Sequence, residues 1–185
     1  MDRDSFHPGP LAEVARVPAG DRWDLVFVRD LRHPPEKVWA ALTEPDRLAQ
    51  WAPFLASRDL GTPGDATLAT LDGERRFEAP ATVRHAERPV LLEYTWGDDL
   101  LRWELTPTDA GTRLTLRHRI GKPDLAPMTA AGWHLCLDVA GHLLDGDPVG
   151  PIRGTEAMAF GWERLRDAYA ERLGPAPARE PGELT

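Results

Sequence analysis

The chain has 185 residues, 42% of them hydrophobic, which suffices for one domain with a substantial core. Its formal net charge of −8 argues against nucleic acid and anionic membranes as partners, because both require a basic surface. A single cysteine, no zinc-like spacing and no apolar run near the ~20 residues of a membrane span lead us to expect a cytoplasmic protein without metal or other cofactor.

The N-terminal third predicts an arm, a strand and two short helices. Residues 1–20 are punctuated by proline and glycine, so we expect a flexible arm outside the domain. Residues 22–32 alternate with period two, which predicts a first strand whose apolar face includes Arg29. Prolines then bound two helices, the first over residues 36–43 and the second containing Trp51.

Residues 54–120 consist of short alternating segments separated by turn signals such as Asp72-Gly73. Consecutive short strands with tight turns predict an antiparallel meander with one apolar, aromatic face and one charged face. The apolar face carries Tyr94, Trp96, Trp103, Leu116 and His118.

Residues 127–145 form the longest helical pattern in the chain, with Trp133 and Leu137 near the centre of a broad apolar side. A sheet with one apolar face needs a cover, and this helix is the available one. The opposite side, which we expect to face solvent, carries His134, Asp138, His142 and Asp145.

A loop over residues 146–155 precedes a last helical pattern over residues 156–173, which would pack on the same domain or on a second subunit of a homodimer. Residues 174–185 are rich in proline and charge and are predicted to be disordered. The domain is therefore predicted to cover residues 21–173. The stripe of the last helix consists of Met158, Trp162, Leu165, Tyr169 and Leu173.

Four local motifs accompany this order of elements. They are Val-Trp-x-Ala-Leu-Thr-x-Pro…Leu…Trp over residues 38–51, Leu-Glu-Tyr-Thr-Trp over 92–96, Gly-Thr-Arg-Leu-Thr-Leu-Arg-His over 111–118 and Gly-Trp-His-x-Cys-Leu-Asp over 132–138. Together they resemble the START-like (SRPBCC) superfamily and, more narrowly, the family related to the activator of heat-shock protein 90 ATPase. The resemblance spans about residues 22–145. It implies an α+β helix-grip fold, in which a curved antiparallel sheet wraps around a long C-terminal helix.

The resemblance also implies a cavity between sheet and long helix, which in this superfamily holds apolar molecules. We therefore predict non-catalytic binding of a small hydrophobic or aromatic ligand. A protein-interaction module of the chaperone-regulator kind is the alternative, and a cyclase- or hydrolase-like enzyme is less favoured, since no motif marks a catalytic residue. The predicted lining consists of Arg29, Trp51, Tyr94, Trp96, Trp103, Leu116, His118, Trp133 and Leu137.

Several of these candidates have a structural alternative. Trp96 and Trp103 would be packed core instead of cavity wall. His118 would either offer a polar contact to a ligand or hydrogen-bond a neighbouring side chain. Arg29 would either receive a ligand carboxylate or pair with a carboxylate of the protein.

For three further features we favour a structural interpretation over a functional one. The His134, Asp138 and His142 series can be drawn as a metal or acid–base set, but a solvated His–Asp pair is favoured on a side of the helix that faces water. Cys136 is predicted to be a buried, inert thiol. The basic strip near Arg117 is predicted to be the charged outer face of a strand and not a contact for an acidic partner. That strip consists of Arg113, Arg117, Arg119 and Lys122.

Overall fold

The computed structural model describes residues 3–176. Its strands are β1 (Glu13–Ala19), β2 (Arg22–Leu31), β3 (Phe54–Ala56), β4 (Gly64–Asp72), β5 (Arg75–Glu87), β6 (Leu91–Trp96), β7 (Asp99–Thr108) and β8 (Gly111–Ile120). Its helices are α1 (Pro35–Thr43), α2 (Pro45–Leu48), α3 (Ala126–Leu144) and α4 (Trp162–Leu173). Short 3-10 turns cover Arg3–Ser5, Pro123–Leu125 and Gly154–Phe160.

The strands form one antiparallel sheet in the order β1-β2-β8-β7-β6-β5-β4-β3. Strands β3 to β8 pair with their neighbours in sequence, so the predicted meander is confirmed. Strand β2 returns to the other side of β8, where Phe27 lies opposite Leu116. The predicted α+β architecture of a curved antiparallel sheet and a long C-terminal helix is confirmed.

The core forms where α3 covers the apolar face of the sheet. In β8 every second residue from Thr112 to Ile120 is buried, as a period-two strand with one covered face requires. Trp133 of α3 meets Trp103 edge to face, with ring centroids 5.2 Å apart and planes at 86°. Trp103 meets Trp51 in the same way at 6.2 Å, so three tryptophans fill the centre of the domain. Trp51 lies in the turn after α2, so its predicted position inside the second helix is wrong.

The N-terminal segment differs from the predicted flexible arm. Residues 13–19 form β1, which pairs with β2 along its whole length, from Glu13 opposite Val28 to Ala19 opposite Arg22. Before it, Phe6 is 2% exposed and belongs to the core. Pro18, one of the prolines that favoured an arm, is compatible with β1 because proline is tolerated on an edge strand.

The C-terminal part differs from the prediction in where the helix begins. Gly161 has a left-handed φ of 82° and separates the 3-10 turn from α4, so the predicted helix over residues 156–173 is wrong before residue 162. Leu165 and Tyr169 are buried against α3 and β1 of the same domain, whereas Met158 is 50% exposed. Of the predicted disordered tail, residues 177–185 lie outside the described part of the chain.

Candidate functional site

A cavity of about 320 Å³ lies beside α3, near the end of the sheet where β6 ends. Trp96 and His118 line it from the sheet, and Trp133 lines it from the helix. The segment between α3 and α4 closes the remaining side with Ile152 and Arg153. The walls are mainly apolar and aromatic, which is the usual lining of a small-molecule pocket.

Gly132 gives the cavity access to the backbone of α3. A β-carbon built on this glycine would meet no heavy atom within 4 Å, so open space lies directly beside the helix. Gly141 lies on the opposite side of the same helix, since it follows Gly132 by about two and a half turns. A β-carbon there would also meet no heavy atom within 4 Å, but Gly141 borders a different, polar cleft of about 370 Å³. The two glycines therefore mark two separate openings along one helix.

His118 is held by two protein partners. Trp133 Nε1 donates to His118 Nδ1 over 2.9 Å, and His118 Nε2 lies 3.0 Å from Asp99 Oδ2. Because an indole N–H can only donate, Nδ1 accepts and the ring proton lies on Nε2, facing the carboxylate. Both nitrogens are thus engaged, and the imidazole presents only its ring to the cavity.

The carboxylate of Asp99 anchors this arrangement. Its partial burial alone would raise the pKa of Asp99, but the hydrogen bond from His118 and the charge of Arg22 outweigh burial and lower the pKa below its ordinary value. Arg22 Nη2 lies 2.9 Å from Asp99 Oδ1. The pair of His118 and Asp99 is therefore a structural support for Trp133.

Arg153 is the charged side chain of the cavity wall, and it is half-buried. Its Nε donates to Ala52 O and its Nη2 donates to Ala49 O, each over 2.8 Å. Within residues 3–176 no ion pair joins it to a carboxylate. Burial lowers the pKa of Arg153 from its ordinary value, because the charged form is poorly solvated there.

Cys136 also lines the cavity. Burial raises the pKa of its thiol to about 12, against a smaller opposite effect of the Arg153 charge. The thiol is therefore protonated at neutral pH, in line with the inert thiol predicted from the sequence.

The structure brings only three of the nine predicted lining residues to the cavity, namely Trp96, His118 and Trp133. Arg29 and Leu137 border the polar cleft on the other side of α3. The other four are packed core. These four, Trp51, Tyr94, Trp103 and Leu116, are at most 1% exposed.

The polar atoms of the packed aromatic residues are satisfied inside the protein. Trp51 Nε1 donates to Ala41 O over 2.9 Å, and Trp103 Nε1 donates to Tyr94 Oη over 3.1 Å. The packed-core alternative therefore describes Trp103, whereas the half-buried Trp96 lines the cavity.

The prediction that this side of α3 faces solvent is wrong for His134 and Asp138, whereas Asp145 at the end of the helix is exposed. His134 is fully buried and its Nδ1 lies 2.7 Å from Tyr169 Oη, while its Nε2 lies 3.1 Å from Asp138 Oδ2. Arg29 Nη2 approaches the other carboxylate oxygen of Asp138 at 2.6 Å, which is the structural alternative stated for this arginine. The N-terminal segment and α4 pack on this side of the helix, and Gly9 N donates to Asp138 over 2.8 Å. The His134 side chain is therefore 0% exposed and that of Asp138 only 12%.

Three arginines of the basic strip lie on β8, and two of them pair with carboxylates of β2. Arg113 Nε donates to Asp30 over 2.8 Å, and Arg119 Nε donates to Asp24 over 2.9 Å. These pairs agree with the outer-face interpretation.

Sequence reasoning missed the residues that close the cavity. Arg153 and Ile152 lie in a loop without periodicity, and Trp162 was assigned only to the stripe of the last helix. Gly132 fell inside a helical pattern that gives no sign of an opening. The one available signal was the unusual length of the 146–155 segment.

Metal-binding clusters and membrane-spanning helices are both missing from residues 3–176. No group of three or more His, Cys, Asp or Glu side chains is placed there to hold a metal ion. None of the helices in that range is both long enough and apolar enough to cross a membrane.

The sheet, the long helix across it and the cavity beside that helix define a helix-grip domain of the START-like type. The sequence profile described as Activator of Hsp90 ATPase homolog 1-like protein matches residues 32–144, more than half of the chain. The chain belongs to this family, and the predicted resemblance is confirmed. No functionally curated protein matches the sequence.

Solved structures with the same fold come from several bacteria. CalU16 from Micromonospora echinospora, in solution, has a TM-score of 0.65 at 21% identity, over 90% of this chain and 96% of that chain. A conserved protein of unknown function from Enterococcus faecalis gives 0.63 at 17%, over 86% and 90%. An AHSA1-like protein from Aeromonas hydrophila gives 0.57 at 20%, over 66% and 92%. At these identities the likeness shows the fold alone.

Proposed function

We propose that this protein binds a small hydrophobic or aromatic ligand in the cavity beside α3 and does not transform it. The observation that carries the proposal is an apolar cavity of about 320 Å³ in a domain whose centre is otherwise filled by interlocking aromatic rings. Ligand pockets start at roughly 300 Å³. Trp96, Trp133 and Trp162 contribute aromatic rings to the wall from β6, α3 and α4.

The chemistry of the wall supports binding over catalysis. Both nitrogens of His118 are engaged, and the thiol of Cys136 is protonated at neutral pH. None of the described residues that line the cavity is Asp or Glu. A general base or nucleophile poised to react is thus not among the cavity-lining side chains.

The interaction-module alternative calls for a filled core and a contiguous exposed apolar patch. The exposed large apolar residues lie on several separate elements. Phe77 on β5 is 56% exposed, Met158 on the 3-10 turn is 50% exposed, and Val90 in a turn is 48% exposed. The cavity therefore favours ligand binding.

Titration with N-phenyl-1-naphthylamine, a neutral apolar fluorophore, tests the proposal. We expect saturable binding to the unaltered protein. Gly132→Leu should weaken it at least about tenfold, because the new side chain would occupy the open space beside α3.

Gly141→Leu is the matched control, since it places the same side chain on the same helix beside the polar cleft. It should leave binding within about twofold, well under one factor of ten in the binding constant. No saturable binding, or equal loss in the two variants, would refute the proposed site.

A further inference from the structure

We infer that the cavity is built for an organic anion, an apolar ring system that carries a carboxylate, and that Arg153 is the residue that receives the carboxylate. This inference rests on the proposed function and names the ligand class of the same site.

The charge of the wall is the first argument. Arg153 is a cation in a lining that contains no Asp or Glu among the described residues, although the whole chain carries a formal net charge of −8. An arginine in an apolar cavity whose wall contains no acidic side chain makes the local electrostatic potential favourable for an anion.

The second argument is that Arg153 has a donor group left over. Its Nε and Nη2 are used by the carbonyls of Ala52 and Ala49, which hold the guanidinium in place. No described residue accepts a hydrogen bond from Nη1, so the two N–H groups of that nitrogen remain available. A guanidinium already fixed by the backbone loses little conformational freedom when it binds a ligand.

Two acidic side chains near this loop, Asp72 at the end of β4 and Glu156 of the loop itself, are engaged elsewhere. Asp72 Oδ1 accepts from Thr155 N over 2.8 Å and from Thr155 Oγ1 over 3.0 Å. Glu156 Oε1 lies 2.6 Å from Arg3 Nη2. Each therefore has a partner other than Arg153. A half-buried cation without a counter-ion is unfavourable, and a bound carboxylate would supply the missing charge.

The other polar groups of the wall cannot take over this role. His118 has no nitrogen left, and the hydroxyl of Thr129 donates to Leu125 O over 3.0 Å. Cys136 offers only a weak donor. With two donors on one nitrogen and apolar walls around it, the site suits a single carboxylate better than a phosphate, whose further oxygens would lack partners.

The test compares 2-naphthoate with 2-naphthamide, which has the same ring and nearly the same shape but no charge. Dissociation constants are measured by tryptophan fluorescence quenching at neutral pH. The unaltered protein should bind the acid at least about tenfold more tightly, the usual worth of a hydrogen bond between charged groups. Arg153→Gln should abolish this preference while leaving the amide within about twofold, a change too small to indicate a lost contact.

Arg153→Lys serves as a second variant because it keeps the charge and should retain part of the preference. Equal binding of acid and amide by the unaltered protein would overturn the inference and leave the proposed function standing. Binding of N-phenyl-1-naphthylamine without binding of 2-naphthoate would likewise overturn the inference and leave the proposed function standing. Failure of all three probes to bind would instead overturn the proposed function, and this inference with it.

Discussion

Two arginines of this domain illustrate how surroundings decide the role of a side chain. Arg29 interrupts an apolar strand face and pairs with Asp138 at 2.6 Å, so its charge is neutralised within the fold. Arg153 lies in an irregular loop and bonds only to backbone carbonyls, so its charge is left for a ligand. The sequence drew attention to the first because it broke a pattern, and it gave no reason to notice the second.

Trp133 links the core to the cavity and provides a prediction at the scale of one residue. It is 3% exposed, meets Trp103 edge to face and donates to His118. Trp133→Ala should lower the free energy of unfolding by ~3–5 kcal/mol, the cost of a large cavity in a packed core. Urea denaturation measures it. Trp162→Ala, at a half-buried position, should lower the free energy of unfolding by less. Equal urea midpoints for Trp133→Ala and the parent would contradict the packing described.

At the scale of elements, α3 is covered on two sides, and eleven of its 19 residues are buried. The sequence predicted the helix and its contact with the sheet, because both follow from local periodicity. It predicted water on the side of His134 and Asp138, and this was wrong. The residues that bond to these two side chains, Gly9 and Tyr169, are far from the helix in sequence, and no local pattern predicts such a contact.

The glycines of two elements should respond oppositely to one added methyl group. Gly132 lies inside α3 beside open space, so Gly132→Ala should raise the free energy of unfolding by roughly 0.5–1 kcal/mol. Gly111 has φ +144° and a β-carbon there would overlap Leu31 O, so Gly111→Ala should be destabilising. Thermal unfolding of the two variants measures the difference. A loss of stability in Gly132→Ala would show that the space beside the helix is not open.

At the scale of the whole molecule, one buried polar cluster joins the N-terminal segment, the sheet, α3 and α4. Asp138 is its centre, with Arg29, His134 and Gly9 around the carboxylate and Tyr169 behind the imidazole. Tyr169 Oη also accepts from Ala12 N over 3.0 Å, which attaches the start of β1 to α4. The cluster therefore holds together parts of the chain that no short-range interaction connects.

This cluster predicts a dependence of stability on pH. Burial alone would raise the pKa of Asp138, but the hydrogen bond from His134 and the charge of Arg29 outweigh burial and lower it. A carboxyl with a depressed folded-state pKa contributes stability that is present above its unfolded pKa of about 4 and is lost as the pH falls through the folded-state value. The free energy of unfolding of the parent minus that of Asp138→Asn should therefore be largest at neutral pH and shrink below pH ~4.

Urea denaturation of both proteins between neutral and acidic pH measures this difference. Asp30→Asn is a suitable control: the pKa of Asp30 is also lowered, chiefly by its hydrogen bond from Arg113, but this carboxyl is exposed and should contribute little. A difference between parent and Asp138→Asn that stays constant with pH would contradict the ion pair.

Much of the architecture was predictable because alternating strands, tight turns and an amphipathic helix each leave a local signature. Tyr94 and Trp103 were correctly placed on the apolar face of the sheet, yet they are core and not cavity wall. Whether a side chain on that face is packed core or lines the cavity depends on which other elements pack against it. The segment between α3 and α4, which contributes to the cavity wall, has no hydrophobic period from which its position could be predicted.

The boundary of the family match has a consequence for how recognition is encoded. The match ends at residue 144, whereas Ile152, Arg153 and Trp162 lie beyond it and complete the cavity. The wall of the cavity is therefore divided between the stretch that matches the family, with Trp96 and Trp133, and a segment that follows it. If the proposed function holds, we expect replacement of residues 146–162 to change which molecule is held while leaving the strand register unaltered, because all eight strands end by residue 120.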